Sequence, residues 1–202
     1  LTESEAGSDV GNLSTTAVRN PDGTFSLTGN KIFITNANVA DVIVCLVRTG
    51  GPGPKGISTL IIETTTPGYM SSKPFEKLGN RASPTCELAL EDCRVPADNL
   101  LGVEGGGFMY LMQKLQQERL VCAIAAEAAA EAVLELTIKY CQEREQFGRP
   151  ISKFQYNRFQ LAEMKTEAEI GRIFMDRLIE ELKTKFNAEI QQEKIAWIEG
   201  TV

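Results

Sequence analysis

The chain has 202 residues, 43% of them apolar and 24% charged, which is enough to bury a core in one large domain or two small ones. A net charge of −6 with no cluster of Lys and Arg argues against a nucleic-acid surface, and the longest strongly apolar run, VIVCLV at 42–47, is too short to cross a bilayer. Histidine is absent, which removes His-based triads and the common Cys/His zinc sites from these residues and leaves carboxylates as the leading candidates for a general base.

The five cysteines (Cys45, Cys86, Cys93, Cys122 and Cys141) are odd in number and show no CxxC spacing, which fits reduced thiols better than a disulfide framework. Of the 17 glycines, 14 precede residue 108, as do seven of the eight prolines. That half carries β-type runs divided by turns: TFSLTG, NKIFITNA, DVIVCLVRTG, STLIIETT and CELALEDCRV. NPDGT at 20–24 is a hairpin signal, because Asp and Gly satisfy the local hydrogen bonding and the positive φ of a tight turn. Strands at this spacing, with no helical periodicity between them, predict an antiparallel barrel or sandwich.

GVEGGG at 102–107 reads as a hinge, and the composition then turns to Ala, Glu, Leu, Lys and Gln at helical spacing. The pattern predicts a helix over about 107–143, a break at QFGRP (146–150) and a second helix over about 152–185. Gly148 is expected to end the first helix and Pro150 to open the next segment. A further helical start is expected at AEIQQEKIAWIEGTV (188–202). The expected class is α+β: an antiparallel β-barrel or sandwich domain over 1–104, followed by part of an antiparallel helical bundle over 105–202. Because the chain opens inside a structured motif and stops within a helical pattern, it reads as a piece of a longer protein, and no targeting segment is legible.

Glu118 stands out on the first helix. At 3.6 residues per turn it shares a side with Leu111, Leu115, Cys122, Ala125 and Ala129, while Glu127, Glu131, Glu135 and Lys139 mark the opposite, solvated side. A carboxylate is thus expected on the buried side of an apolar helix. Burial disfavours the charged form of a carboxyl group and makes it a better-matched proton acceptor at neutral pH. The same burial also suits a glutamate paired with an arginine or facing a subunit contact.

Four segments, LTESEAGSD (1–9), GNKIFITNA (29–37), KLGNRASPTCELALEDCRVPADNLLG (77–102) and REQFGRPISKFQ (144–155), occur in an order and spacing that resembles the acyl-CoA dehydrogenases. These flavoenzymes oxidise acyl-CoA thioesters to 2-enoyl-CoA, with FAD as cofactor. The resemblance implies a middle β-domain and the first part of a C-terminal bundle, with the N-terminal helical domain outside this sequence.

Resemblance assigns Thr2 to the pyrimidine edge of the flavin, and Gly7 and Ser8 to the pyrophosphate, with Ser8 also near substrate. Small residues there suit close approach of backbone amides to an anion, although a Gly-Ser turn is also an ordinary structural device. Ser4-Glu5 departs from the proline and small residue usual in the family. Phe33 occupies the place of a tryptophan beside the isoalloxazine, keeping the aromatic plane and losing an N–H donor. Strand alternation puts Phe33 and Thr35 on one face with Ile32 and Ile34 on the other, and Thr35 matches a threonine near flavin N5. Read without the family, Phe33 is sheet packing. Arg144, Phe147 and Gln155 resemble residues that reach the FAD of a partner subunit; an arginine fork suits a pyrophosphate, and equally a helix C-terminus.

In the long-chain and isovaleryl branches, the base lies on the first long bundle helix in a Glu-Arg-Leu context. QQERL at 116–120 resembles it, which makes Glu118 the base that removes the α-proton while flavin N5 accepts the β-hydrogen, and places Arg119 near substrate. Glu199 in WIEGTV resembles the base segment of other branches but follows FG (147–148) too soon, and reads as a chance match on a third bundle helix. The implied partners are acyl-CoA and electron-transferring flavoprotein, in a homo-oligomer built as a dimer of dimers, located in a bacterial cytoplasm or a mitochondrial matrix. The piece by itself is expected to be inactive. Two other readings stay open: a related flavoprotein of nitroalkane-oxidase or monooxygenase type, and a non-catalytic relative.

Overall fold

Strand β2, Phe25–Thr35, is the spine of the sheet. Its first half alternates core and surface, with Phe25 and Leu27 fully buried, and two segments expected as separate strands run together as this single one. NPDGT forms the turn that pairs β2 with a short strand before it, β1 (Thr16–Arg19), so that Arg19 faces Phe25. Asp22 accepts hydrogen bonds from the Thr24 amide and hydroxyl, which closes the turn. In this computed structural model, which describes residues 1–198 and side chains to 186, the other strands are β3 (Val42–Arg48), β4 (Ile57–Glu63), β5 (Tyr69–Ser71) and β6 (Thr85–Val95). β1 and β5 are too short to leave a periodic signal.

The six strands lie in the order β4-β3-β1-β2-β6-β5. This sheet is open rather than a closed barrel, and β1 meets β3 in parallel while the other pairs are antiparallel. Phe25, Leu27, Val47, Leu60, Ile62, Leu90 and Val95 form its core, each such side chain contributing about 1.5–3 kcal/mol when removed from water. A smaller cluster of Ala6, Leu13, Leu46 and Ile57 receives Phe108 and Leu111.

Two compact units result, Leu1–Gln113 and the residues from Lys114 onward. Helix α1 runs Gly107–Glu143, as its pattern predicts. After it come β7 (Glu145–Gln146) and β8 (Arg149–Pro150), a two-stranded ribbon, and then α2, Gln155–Ile198. Gly148 differs from expectation, while Pro150 does open the next segment, standing just before the 3-10 turn Ile151–Lys153 that leads into the second helix. Phe147 (φ 53°) and Gly148 (φ 73°) form a two-residue turn with positive φ at both positions, as a type I′ turn requires; Gly148 therefore shapes the ribbon instead of capping α1, and Pro150 pairs with Glu145. The helical start expected at 188 is also corrected: α2 continues through it, since neither Gly nor Pro interrupts 172–198. The reading of Glu199 falls outside the described residues. No helix among the described residues is long and apolar enough to cross a membrane.

Candidate functional site

The first segment is folded on itself: the Glu3 and Ala6 amides each donate to the other residue's carbonyl, at 2.9 and 3.2 Å. This tight link buries Glu3 and Ala6 and leaves Gly7 and Ser8 exposed. Among the described residues, the Gly7 and Ser8 amides donate to no acceptor. Ser4 and Glu5, the departure from the family pattern, face solvent. Thr2 is half-buried, and its carbonyl accepts the Ile32 amide at 2.9 Å. The opening segment is thereby laid against the far end of β2.

That end of β2 is irregular. Its register against β6 shifts between Lys31 and Ile34, and Phe33 inside the shift takes φ 60°, a left-handed conformation costing an aromatic residue about 1–3 kcal/mol. The bulge re-aims the side chain: Phe33 is 63% exposed, with its ring 5.9 Å from that of Phe75. Thr35 is exposed opposite Thr85. Phe33 and Thr35 do face outward together, by way of a bulge that simple alternation does not contain. Next to Thr35, Asn36 (φ 62°) donates its amide to the Pro84 carbonyl at 2.9 Å, and Lys77 donates to Thr85 Oγ1 at 2.9 Å. An exposed aromatic ring, the exposed Thr35 and the unengaged Gly7 and Ser8 amides thus belong to one unit. They can hold a flat ring with hydrogen-bonding edges and an anionic group.

Sequence reasoning missed the charged pair beneath this surface. Lys31 is 2% exposed and Glu3 5%, and Lys31 Nζ lies 2.7 Å from Glu3 Oε1. Burial by itself raises the Glu3 carboxyl above the usual carboxylate range; the Lys31 ammonium, with Thr15 and Ser14, outweighs that and holds it down at about 2. A signal was available, because continuing the inward register of Phe25 and Leu27 by twos arrives at Lys31, and a lysine on an inward strand position requires a partner.

In the helical unit the structure corrects the placement of Glu118. It is exposed, as are Arg119, Cys122, Ala125 and Ala129. The covered stripe of α1 is instead Leu120, Ile124, Glu127, Glu131, Leu134, Ile138 and Cys141, a 3.5-residue repeat. It faces Ala168, Gly171, Met175, Leu178 and Leu182 of α2, and Arg172 reaches Glu131 at 2.9 Å. Glu127 and Glu131, expected in solvent, therefore lie at the seam, because α2 packs on the side that their acidic repeat marks, with Gly171 against Glu127 and Arg172 paired to Glu131. Glu127 packs over Gly171, where a Cβ would overlap its carboxylate, and its Oε1 is buried without a hydrogen-bond partner. Burial lends Glu118 no support as a base; the Glu-Arg-Leu context alone does. Arg144 and Gln155 are exposed at the ends of α1 and α2, and Phe147 projects 93% exposed from the ribbon, its ring 6.2 Å from that of Phe154 and steeply inclined to it at 78°.

Residues 1–93 match the acyl-CoA dehydrogenase middle domain, and residues 105–199 the acyl-CoA dehydrogenase C-terminal domain. The chain is 43% identical over 173 residues to the short-chain-specific acyl-CoA dehydrogenase of Megasphaera elsdenii, across 85% of this chain and 45% of that protein. An acyl-CoA dehydrogenase structure from Geobacillus kaustophilus superposes with a TM-score of 0.86 at 51% identity, over 89% of this chain and 48% of that one. A glutaryl-CoA dehydrogenase from Mycobacterium smegmatis in complex with FADH2 gives 0.79 at 35% identity, over 87% and 44%. The chain spans less than half the length of these relatives, and both of its units belong to the acyl-CoA dehydrogenase family, whose members are flavoproteins.

Proposed function

We propose that the full-length protein is an FAD-dependent dehydrogenase that converts an acyl-CoA thioester into its 2-enoyl-CoA. The observation that carries this reading is the bulge at Phe33, which spends backbone strain to expose an aromatic ring beside Thr35 and the Thr2 segment. These residues fit the cofactor. Phe33 offers a flat apolar face, the Thr2 and Thr35 hydroxyls suit the polar ring edges, and the unengaged Gly7 and Ser8 amides suit a pyrophosphate. Bound FAD supplies the two-electron acceptor that no side chain of this chain provides.

The chain's own residues then bind, orient and take up a proton. Glu118 is proposed as the acceptor of the proton beside the thioester carbonyl, on its Glu-Arg-Leu context, with Ser8 and Arg119 positioning substrate. Arg144, Phe147 and Gln155 stand exposed at and beside the ribbon, where a second subunit's cofactor can meet them; the homo-oligomer, a dimer of dimers, is proposed on the family membership. Electron-transferring flavoprotein is the proposed acceptor. Five free cysteines, four of them buried, agree with a bacterial cytoplasm or a mitochondrial matrix.

The test uses the full-length protein and its Glu118→Gln variant, assayed against a series of acyl-CoA lengths. The expected result is a visible flavin band bleached by thioester, with bleaching slowed by about 100-fold or more in the variant at unchanged flavin content. A flavin band that no thioester bleaches overturns the dehydrogenase reading in favour of another flavoprotein chemistry. Unslowed bleaching in the variant removes Glu118 alone.

A further inference from the structure

None of the roles above uses the buried pair Glu3 and Lys31. The Glu3 carboxylate accepts the Ser14 amide at 2.6 Å, the Ser14 hydroxyl at 2.7 Å and the Thr15 amide at 3.1 Å, besides Lys31. Lys31 Nζ donates further to the carbonyls of Leu46 at 2.7 Å and Leu1 at 3.4 Å. One ion pair thus joins four stretches of chain: the opening segment, residues 14–15, β2 and β3.

Such a pair is not the cheapest filling for that space, since apolar side chains of similar volume commonly match or exceed the stability of a buried salt bridge. What it adds is direction, and here direction matters. Glu3 follows Thr2 and Lys31 precedes Ile32, so the ion pair stands beside the bond from the Ile32 amide to the Thr2 carbonyl. The β2 register slips directly after Lys31, and Phe33 swings outward in the slip. A strand able to slip by one residue has two registers, and a Lys31 anchored inward by Glu3 favours the one that exposes Phe33.

We propose that Glu3 and Lys31 are a positioning pair which locks the opening segment against the bulged end of β2, and so holds Thr2, Phe33 and Thr35 in the arrangement that receives a flavin. The flavin half of this inference rests on the flavoenzyme reading above; the register half does not.

The experiment compares the full-length protein with Glu3→Gln, Lys31→Met and the double variant, reading FAD dissociation, the position of the visible flavin band, melting temperature and hydrogen exchange at the Ile32 amide. Each single variant is expected to weaken FAD binding about tenfold or more, shift the band and speed Ile32 exchange. The double variant, which restores a neutral interior, is expected to regain melting temperature while FAD affinity and Ile32 protection stay low. If the single variants fail to fold, the double variant still gives both readouts. Recovery of FAD affinity together with melting temperature in the double variant overturns the proposal, as does unchanged Ile32 exchange. A wild-type protein that binds no flavin overturns the flavoenzyme reading instead, and leaves Ile32 exchange to decide the register lock.

Discussion

Glu3 Oε1 accepts a hydrogen bond from Lys31 Nζ at 2.7 Å, with side chains only 4% and 1% exposed, and this contact couples the start of the chain to the middle of β2. Its carboxyl is held at about 2, below its ordinary 4.5. A carboxylate depressed in the folded state binds fewer protons there than in the unfolded state, so its stabilisation is complete above the ordinary value and is lost as pH falls from about 4.5 toward about 2. The stake is on the order of 3 kcal/mol. Denaturant midpoints measured across that window should fall steeply for wild type, and the component due to this group should be missing in Glu3→Gln.

Phe33→Gly separates strain from recognition. Glycine adopts φ 60° freely, and a ring 63% exposed has little packing to lose. Equilibrium stability is expected to stay within about 1 kcal/mol of wild type. Flavin retention in the full-length protein should nevertheless drop, read from the ratio of visible to ultraviolet absorbance after gel filtration. A stability loss well beyond that range means that the ring is ordinary packing.

Gly29→Ala should be the most damaging small change in the sheet. A Cβ at Gly29, where φ is 152°, would stand 2.7 Å from the Thr15 backbone and 2.6 Å from its hydroxyl. Neither can retreat, because Thr15 is fully buried and its amide is tied to Glu3. A loss of about 2–4 kcal/mol is expected, measurable by urea unfolding.

The α1–α2 seam predicts opposite signs at two neighbours. Glu127→Met removes a buried oxygen that has no partner, and is expected to stabilise the hairpin by about 1 kcal/mol. Gly171→Ala forces a methyl against the Glu127 carboxylate and should destabilise when Glu127 is present. In the Glu127→Ala background that penalty should largely vanish, so a double-mutant cycle by thermal unfolding reads the contact directly.

Arg172→Ala tests how little a partly exposed ion pair contributes. Its partners Glu131 and Asp176 leave the arginine side chain 53% exposed, so the expected cost is a drop in melting temperature of about 2 °C at most, which shrinks further in high salt. A cost several times larger means that Arg172 closes the seam by packing.

By itself the sequence determined what local chemistry governs. Asp22 and Gly23 closed the β1–β2 turn, the helical period fixed α1 over Gly107–Glu143, and four ordered motifs placed both units in one family. Only tertiary structure decided the rest. Whether Phe33 faces out depends on a register slip between two strands 55 residues or so apart in the chain, which no alternation within β2 encodes. Which side of α1 is covered depends on where α2 lies, and α2 covers Glu127 and Glu131 while leaving Glu118 in solvent. Lys31 is buried because Glu3, 28 residues away, supplies the opposite charge. A residue's burial is a property of its neighbours in space, and those neighbours are chosen by packing the whole chain.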